Sequence, residues 1–313
     1  MDYKSGNIDL HIHSTASDGS LAPLDILELA KETGLAAFAL TDHDAIDGAR
    51  EIASVIGLGV DCNNPHGARD VNQSVPFFIS GVEISAAPPP QIKISGSFHI
   101  LGYGFDQDHP ELNKVLIKQQ EARKNRNPEI IARLNEMGID ISLEAVAAAS
   151  GSPRIGRPHI ATLMVEKGYV RTIDEAFDNY IGSGKPGYVD KPRIRVESAI
   201  ALIRSAGGIP VLAHPGLLTA SSPSRMIDLI GALTEMGLGG LEVYYPGHDA
   251  EQLALFSKLA RSHGLLVTGG TDFHGAVNPE IRLGTGRGNF SVPFSVFENI
   301  VNYLDRDASG QNR

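Results

Sequence analysis

Short apolar runs alternate with helix-like segments along most of the 313-residue chain. An apolar run at 36–41 precedes a segment of helical character from Ala45, and further apolar runs at 209–213, 241–245 and 265–269 are separated by helical periodicity. Strands that alternate with helices favour parallel pairing, and therefore a closed or doubly wound sheet. In a barrel of this kind, functional residues collect at the carboxyl ends of the strands.

A stretch near the middle of the chain, at 110–185, breaks this alternation because it has helical character and almost no strand signal. We expect an inserted helical subdomain of about eighty residues, with its first helix interrupted at Pro128. The sequence thus predicts a discontinuous barrel domain at 1–107 and 189–313, and an inserted helical substrate-binding subdomain at 108–188. The polar segment at 57–75 is predicted to be a long loop.

The charge balance and the apolar content restrict the class of protein. The 37 acidic residues exceed the 27 basic ones, for a net charge of -10, which argues against duplex DNA as a partner because such binding needs a basic surface. The one cysteine, Cys62, fits a reducing compartment. The first residues include no apolar stretch as long as that of a signal peptide, and no apolar run approaches the length of a membrane helix. We therefore expect a cytoplasmic protein that does not bind a membrane.

Imidazole and carboxylate side chains cluster where several apolar runs end. His11 and His13 are two residues apart in a predicted strand, so both rings can face the same side. Each residue also has a structural explanation, such as a turn for Asp18 or a helix cap for Asp44. His99 opens its run instead of ending it, so the residues alone leave its role open. The candidate metal ligands are His11, His13, Asp18, His43, Glu83, His99, His214, Asp272 and His274.

This donor set narrows the chemistry. Imidazole and carboxylate suit Zn, Mn or Fe, and a site with several ions is typical of hydrolases, most often of phosphate esters. The sequence has no Gly-x-Ser-x-Gly motif and no phosphate-binding P-loop. Cys62 has no ligand-like neighbours, so a thiol nucleophile is not expected.

The motifs around these residues resemble those of the PHP (polymerase and histidinol phosphatase) family over about residues 8–290. The family fold is a distorted seven-stranded (β/α) barrel with a trinuclear metal centre. The resemblance rests on Asp9-Leu10-His11-Ile12-His13-Ser14, Leu40-Thr41-Asp42-His43-Asp44, Gly81-Val82-Glu83-Ile84, Leu212-Ala213-His214-Pro215 and Gly270-Thr271-Asp272-Phe273-His274-Gly275.

Three further stretches resemble the branch that hydrolyses nucleoside 3′,5′-bisphosphates and the 5′ ends of short oligonucleotides. They are Phe98-His99-Ile100-Leu101-Gly102, Gly156-Arg157-Pro158-His159 with Gly182-Ser183-Gly184-Lys185, and Tyr244-Tyr245-Pro246-Gly247-His248. The resemblance of the first stretch to a metal-binding segment of that branch implies that His99 is a metal ligand. The long segments at 57–75 and 86–95 leave the identity of the substrate open.

The resemblance also implies how the ligands are shared among two or three divalent ions of Mn, Fe or Zn, with Mg as an alternative. One ion would be held by His11, His13, Glu83 and Asp272. A second would be held by Glu83, His99 and His214. The third would be held by Asp18, His43 and His274. Asp18 stands where some relatives carry histidine. This change should give the third site a harder ligand, because a carboxylate oxygen replaces an imidazole nitrogen.

The activity implied is hydrolysis of a nucleotide phosphomonoester by attack of a metal-bound hydroxide. Glu83 would bridge two ions, and Asp272 or His248 would move protons. A second, non-reacting phosphate would bind to basic residues of the insertion. Arg157 is the first choice because a guanidinium matches a phosphate bidentately. The further choices are Arg123, Arg126, Arg154, His159 and Lys185.

Three alternatives remain open at this point. A phosphatase of the histidinol-phosphate type, or for another small molecule, would not need the extra wall of an insertion. A non-catalytic PHP binding module would not need the full ligand set. A metal-dependent amide hydrolase would need a lysine placed to form a bridging carbamate, and none is evident. The expected partner is a small nucleotide phosphate, with short oligonucleotides as an extension of that class.

Overall fold

The computed structural model describes residues 6–56, 75–150, 154–220 and 222–308. Cys62 and nearly all of the loop expected at 57–75 lie outside these ranges. Within them, no helix combines the length and the apolar character needed to cross a membrane.

The strands are β1 (Asn7–Asp9), β2 (Ala37–Leu40), β3 (Phe77–Ala87), β4 (Ile94–Ser95), β5 (His99–Tyr103), β6 (Ile194–Arg195), β7 (Ile209–Leu212), β8 (Thr219–Ala220), β9 (Gly240–Tyr244), β10 (Leu266–Gly269) and β11 (Val292–Pro293). Seven of them form the wall of a barrel in the order β1-β2-β3-β5-β7-β9-β10, and every neighbouring pair is parallel except those of β5, which runs antiparallel to β3 and β7. The short strands β11 and β6 pair with β1 and β3, whereas β4 and β8 form a separate two-stranded sheet.

The two ends of this wall meet beyond β10 and β1. The backbone N–H of Leu10 donates to the carbonyl of Gly269 at 3.2 Å, and that of Asp272 donates to the carbonyl of His11 at 2.8 Å. Gly270 has to be glycine at this junction, because a Cβ there would lie 2.3 Å from the backbone nitrogen of His11. The predicted distorted seven-stranded barrel is confirmed.

Helices cover the outside of the barrel and build the insertion. They are α1 (Pro23–Glu32), α2 (Asp47–Ile56), α3 (Pro110–Glu136), α4 (Leu143–Ser150), α5 (Arg157–Glu166), α6 (Ile173–Ala176), α7 (Val196–Ser205), α8 (Pro223–Glu235), α9 (Ala250–Ser262) and α10 (Phe294–Ala308). A π-helical turn, Phe177–Ile181, follows α6. The expected break at Pro128 is wrong, since α3 runs through it for 27 residues. Packing of Ile130 and Leu134 into the insertion's apolar cluster offsets the hydrogen bond that the proline removes.

Apolar side chains at alternate positions of the strands fill the barrel. Residues such as Ala37 and Ala39 in β2, and Ile209 and Val211 in β7, belong to one cluster with Phe297 and other residues of α10. Side chains two apart in a strand share a face, so this cluster is the barrel interior and α10 covers one end of it. The opposite end, where the parallel strands finish, is left for polar residues.

The insertion has an apolar cluster of its own, with fully buried Ile130, Leu134, Ile160 and Met164 among its members. All residues of that cluster fall between Ile130 and Val189. A separate core is what an independent packing unit needs. Leu112 and Leu116, early in α3, belong instead to a cluster shared with α7, so the core of the insertion begins at Ile130 and reaches Val189. The boundaries 108 and 188 stay our proposal for the subdomain.

Candidate metal centre and the cavities beside it

The nine candidate ligands meet at the end of the barrel where the parallel strands finish. His11 and His13, for which the sequence predicts a place within a strand, instead follow the shorter β1, and His43 follows β2. His99 is the first residue of β5. Because β5 is antiparallel, its beginning lies at the same rim as the ends of its neighbours. This direction explains why a residue that opens its strand still joins the cluster.

Glu83 lies at the centre of the cluster and is buried, with 1% of its side chain exposed. Its Oε1 is 2.7 Å from His99 Nδ1 and 3.0 Å from His214 Nε2. Its Oε2 is 2.8 Å from His43 Nδ1, 3.2 Å from His13 Nε2 and 3.5 Å from His11 Nε2. One carboxylate thus faces five imidazoles, which is the arrangement expected of a bridging ligand.

Two further carboxylates complete the cluster. Asp272 Oδ1 is 3.1 Å from His13 Nε2 and 3.4 Å from His11 Nε2. Asp18 lies 3.6 Å from His274 Nε2 and 3.8 Å from His43 Nε2. Ligand atoms that converge closely enough to hold one ion form three groups, namely His11 with His13 and Glu83, His43 with Glu83 and His99, and His13 with Asp18, His43 and His274.

The backbone is strained at this rim. The non-glycine residues of the described chain with a left-handed φ are Asp44 (54°), His214 (27°) and Asp272 (58°). Such a conformation costs about 1–3 kcal/mol per residue and persists where the surroundings enforce it, often at functional sites. Two of these residues are candidate ligands, and Asp44 directly follows a third.

The donor atoms present fit a group of cations. Several buried atoms in this cluster form no hydrogen bond of normal geometry: His11 Nε2, His13 Nε2, Asp18 Oδ1, His43 Nδ1, Glu83 Oε2 and His214 Nδ1. An unsatisfied polar atom in the protein interior is costly, so natural proteins rarely keep one without a ligand or water. Imidazole nitrogen and carboxylate oxygen are ligands for Zn, Mn or Fe. The buried His, Glu and Asp residues form a candidate site for several metal ions.

The pKa values reflect this crowding of charge. Burial would lower the pKa of His13, but the carboxylates of Asp272 and Glu83 outweigh it and raise the pKa to about 10. Burial would raise the pKa of Glu83, but the imidazoles of His43, His99 and His11 hold it well below its usual range. For His99, burial dominates over the nearby Glu83 carboxylate and lowers the pKa to about 4. The nearby imidazoles likewise hold the pKa values of Asp18 and Asp272 well below their usual range, so the three carboxylates are ionised at neutral pH.

Two buried carboxylates that the sequence reasoning did not select support the ligands from behind. Glu242, fully buried in β9, lies 2.9 Å from His11 Nδ1 through Oε1 and accepts from the backbone N–H of His214 through Oε2 at 2.6 Å. Asp42 accepts hydrogen bonds from the backbone and hydroxyl of Ser14 and from the hydroxyl of Ser17. Such partners fix the orientation of a metal-binding imidazole and of the loop that carries it.

Asp272 is the most accessible carboxylate of the cluster. Its side chain is 20% exposed, compared with 1% for Glu83 and 2% for Asp18. The hydroxyl of Tyr245 donates to Asp272 Oδ2 at 3.3 Å. His248 instead uses both ring nitrogens on the backbone: Nδ1 lies 2.8 Å from the carbonyl of Val243, and Nε2 accepts from the N–H of Gly216 at 3.1 Å.

A cavity of about 270 Å³ opens beside Asp18, His43 and His99. Five cationic side chains line it, against the carboxylates of Asp18 and Asp190. The cations are Arg123, Arg126, Arg157, Lys191 and Arg193.

The cations of this basic cavity differ in their surroundings. Arg157 lies between the rings of Phe177 and Tyr188, 5.5 and 5.4 Å from their centroids, and donates to the carbonyl of Ile181. Arg126 is only 7% exposed, and its Nε forms no hydrogen bond. Burial and the nearby Arg123 and Arg157 lower the pKa of Arg126 to about 9. A buried, incompletely paired guanidinium calls for an anion.

Three predicted substrate contacts lie elsewhere among the described residues. Arg154 donates to Asp47 Oδ2 and to the carbonyl of Ala16, each at 2.6 Å, and does not line the basic cavity. His159 is buried, and its Nδ1 accepts from the N–H of Gly156 at 3.2 Å. Lys185 is exposed and is not among the residues lining the cavity.

A larger cavity of about 730 Å³ opens beside Asp272 and His274, and it shares Pro158 and Phe177 with the wall of the basic cavity. Apolar side chains such as Phe177, Leu217 and Ile281 form part of its wall. The exposed charged residues around it are mostly acidic: Glu166, Asp174 and Glu280, with Arg287. The candidate metal centre thus borders both a basic cavity and a larger one with an acidic margin.

Comparison with known proteins gives a consistent picture. The PHP domain model matches residues 9–150. A 3′,5′-nucleoside bisphosphate phosphatase from Chromobacterium violaceum is 33% identical over 269 residues, covering 86% of this chain and 87% of the relative. The 5′-3′ exoribonuclease Rnm from Escherichia coli is also 33% identical over 269 residues, covering 85% of this chain and 84% of the relative.

The fold comparison agrees. The solved structure of a proposed metal-dependent phosphoesterase from Bifidobacterium adolescentis has a TM-score of 0.76 and 28% identity, and covers 94% of this chain and 95% of that one. With relatives this similar over most of their length, the motifs, the barrel and the ligand cluster have one common explanation: the chain belongs to the PHP family of metal-dependent phosphoesterases.

Proposed function

We propose that the chain hydrolyses a phosphomonoester of a nucleotide that carries a second phosphate, as in the conversion of a nucleoside 3′,5′-bisphosphate to a nucleoside monophosphate. The observation that carries this proposal is the basic cavity beside the ligand cluster, with five cations, one of which is the buried guanidinium of Arg126 with an unpaired Nε. A monophosphate would use the metal centre alone and would leave Arg126 Nε and the excess positive charge of the cavity without a matching anion. The two relatives named above, which act on bisphosphates or on RNA, support the same class of substrate.

In this proposal His11, His13, Glu83 and Asp272 hold one ion, and Glu83 with His99 and His214 holds a second. A third is held by Asp18, His43 and His274. The 3.3 Å approach of His99 Nδ1 to His214 Nε2, both against Glu83 Oε1, supports the second set. His13 converges both with His11 and Glu83 and with Asp18, His43 and His274, so it would be within reach of the first and of the third donor set. Divalent ions bound there would supply Lewis-acid catalysis by polarising the phosphoryl group and activating water.

Residues around the cluster would transfer protons and keep the proton-transferring groups in position. Asp272 is our proposed proton acceptor, since it is the carboxylate of the cluster most open to a water or a substrate. Tyr245 would hold Asp272 through its hydroxyl. His248 stays a prediction for proton transfer to the leaving oxygen, but one of its two backbone hydrogen bonds would have to break first.

The cations of the basic cavity would bind the phosphate that does not react. Arg157 remains the first choice because its guanidinium is fixed between two aromatic rings and lines the cavity. Arg123 and Arg126 line the same cavity, and Lys191 and Arg193 are additions from the structure. Arg154, His159 and Lys185 remain weaker proposals, because their contacts lie outside the cavity.

The larger cavity favours one alternative substrate within this class. A phosphodiester has an organic group on both sides of the reacting phosphorus, and a cavity of about 730 Å³ beside Asp272 and His274 has room for one nucleoside. We therefore keep short oligonucleotides as a second candidate substrate. The acidic margin of this cavity would disfavour further phosphates along a longer chain.

The proposal is tested by replacing Arg157 with alanine and comparing adenosine 3′,5′-bisphosphate with adenosine 3′-monophosphate. Loss of a guanidinium–phosphate contact should lower kcat/KM for the bisphosphate by about 10- to 100-fold and leave that for the monophosphate nearly unchanged. Arg171→Ala is the matched control, because Arg171 is an exposed arginine of the insertion that lines neither cavity. Equal losses on both substrates in Arg157→Ala would reject the second-phosphate role.

A further inference from the structure

Asp44 directly follows the candidate ligand His43, yet its carboxylate points away from the metal groups. It is fully buried and has a left-handed backbone, with φ 54°. The residue does not cap helix α2, which begins three residues later at Asp47. A buried charge in a strained conformation is costly, so its contacts have to account for it.

The carboxylate of Asp44 joins three separate parts of the chain. Oδ1 accepts from the backbone N–H of Ser85 in β3 at 2.8 Å. Oδ2 accepts from Lys191 Nζ at 2.9 Å, from Arg123 Nη2 at 3.1 Å and from Ser85 Oγ at 3.0 Å. The backbone carbonyl of Asp44 also accepts from Gln120 Nε2 at 2.8 Å. The barrel rim, helix α3 and the segment after the insertion therefore meet at one residue.

Asp44 faces two cations, Arg123 and Lys191, and both cations line the basic cavity. Arg123 also lies 3.9 Å from the candidate ligand Asp18. The lysine side chain is 7% exposed and the arginine side chain 17% exposed, so water screens them poorly. Asp44 fixes both head groups, and the five cations of the cavity still outnumber the carboxylates of Asp18, Asp44 and Asp190, which leaves positive charge in excess for an incoming anion.

We propose that Asp44 is a positioning residue that sets the preference for doubly phosphorylated substrates. It holds Arg123 and Lys191 at the wall of the basic cavity, and it touches neither the ions nor the substrate. This inference rests on the proposed function, because it presupposes that the cavity binds the second phosphate.

The protonation of Lys191 supports this role and predicts how the preference for a second phosphate depends on pH. Burial lowers the pKa of Lys191 to about 8, and Arg123 and Arg126 of α3 add to the lowering, whereas Asp44 opposes it. Its other close acidic neighbour, Asp190, accepts from the Lys191 backbone N–H. Lysine is charged below its pKa, so wild-type preference for a second phosphate should decline as pH rises through about 8. Without Asp44 the pKa falls further, so the decline should begin at lower pH.

The test is Asp44→Asn, a substitution that keeps the side-chain shape and tolerates a left-handed backbone. Steady-state rates are measured on adenosine 3′,5′-bisphosphate and adenosine 3′-monophosphate between pH 6 and 9. We expect kcat/KM for the bisphosphate to fall by about 10- to 100-fold, mainly through KM, with a change of less than about threefold for the monophosphate. The preference for the bisphosphate should decline at lower pH than in wild type.

Two more variants test whether Asp44 acts by positioning the cations of the cavity or only by joining the insertion to the barrel. Asp47→Asn removes an exposed ion pair with Arg154 that also joins barrel to insertion, at 2.6 Å, and should leave the preference unchanged. Lys191→Met removes one of the held cations and should reproduce the selective loss without the pH dependence. Combined with Asp44→Asn, it should cost little more than either variant alone.

Equal losses on both substrates in Asp44→Asn, together with an unchanged pH profile of the preference, would overturn the inference and leave Asp44 as structural. If Asp44→Asn does not fold, a non-selective loss in Lys191→Met overturns it in the same way. These outcomes are distinct from failure of the proposed function. If Arg157→Ala loses the bisphosphate selectively and Asp44→Asn does not, only the role of Asp44 is rejected.

Discussion

Replacing Glu242 with glutamine removes a hydrogen-bond acceptor that orients two candidate ligands, His11 and His214, and changes no ligand atom itself. The Glu242 carboxylate has two acceptor oxygens, one 2.9 Å from His11 Nδ1 and one 2.6 Å from the backbone nitrogen of His214. A glutamine of the same shape has one acceptor oxygen and one amino group. It can therefore satisfy only one of the two N–H groups, and the other is left buried and unpaired.

The size of the effect follows from that unpaired group. A buried donor without a partner costs about 1–3 kcal/mol. If the cost falls on the metal-binding conformation of His11 and His214, it weakens ion binding by about 10- to 100-fold, since each 1.4 kcal/mol is a factor of about ten. The two imidazoles belong to different proposed ion sites, so at least two ions should be affected.

The assay is a metal titration of Glu242→Gln against a competing chelator, with ions per chain counted by mass spectrometry. Asp9→Asn is the comparison variant: Asp9 is equally buried, but its carboxylate accepts from Thr271, from the backbone of Gly284 and from the backbone N–H of His11, and contacts no imidazole. Because Asp9 lacks the imidazole contact, this variant should lower the melting temperature but weaken ion binding less than Glu242→Gln does. Wild-type affinity and ion count in Glu242→Gln would refute the supporting role.

Two other predictions concern the groups around the reacting phosphate. Tyr245→Phe removes the hydroxyl that donates to Asp272, so kcat should fall by about 10-fold with KM and metal content nearly unchanged; a fall in metal content instead would show that the tyrosine supports ion binding. Changing Glu166, Asp174 and Glu280 together to their amides should raise kcat/KM for oligonucleotides several-fold at low salt and leave the bisphosphate unaffected. Rates that do not depend on oligonucleotide length or on salt in either protein would contradict the repulsion assigned to the acidic margin.

Much of the barrel and the ligand cluster could be predicted from the sequence because both depend on local patterns. The apolar runs of the strands and the helical periodicity between them are visible in the chain, and ligands such as His43 and His214 lie directly after those runs. His99 was harder to assign, because its place at the rim depends on the antiparallel direction of β5. Strand direction is a tertiary property that a single strand does not encode.

The residues that support the site could not be predicted in the same way, because their roles depend on partners distant in the chain. Asp44 and Lys191 are 147 residues apart and meet only when the insertion folds against the barrel. Glu242 did leave a signal, since it is a charged residue between Leu241 and Val243 in an otherwise buried strand. A carboxylate in such a run needs a buried partner, but the sequence does not say that the partner is an imidazole.

The central claim is that a metal centre and an adjoining basic cavity act together on a nucleotide with two phosphates. The most direct measurement is phosphate release by the purified protein, loaded with Mn²⁺, from adenosine 3′,5′-bisphosphate and from histidinol phosphate. We predict that kcat/KM is at least about 10-fold higher for the bisphosphate, and that a chelator abolishes activity on it. Equal or better hydrolysis of histidinol phosphate, or release that survives removal of the metal, would contradict the account.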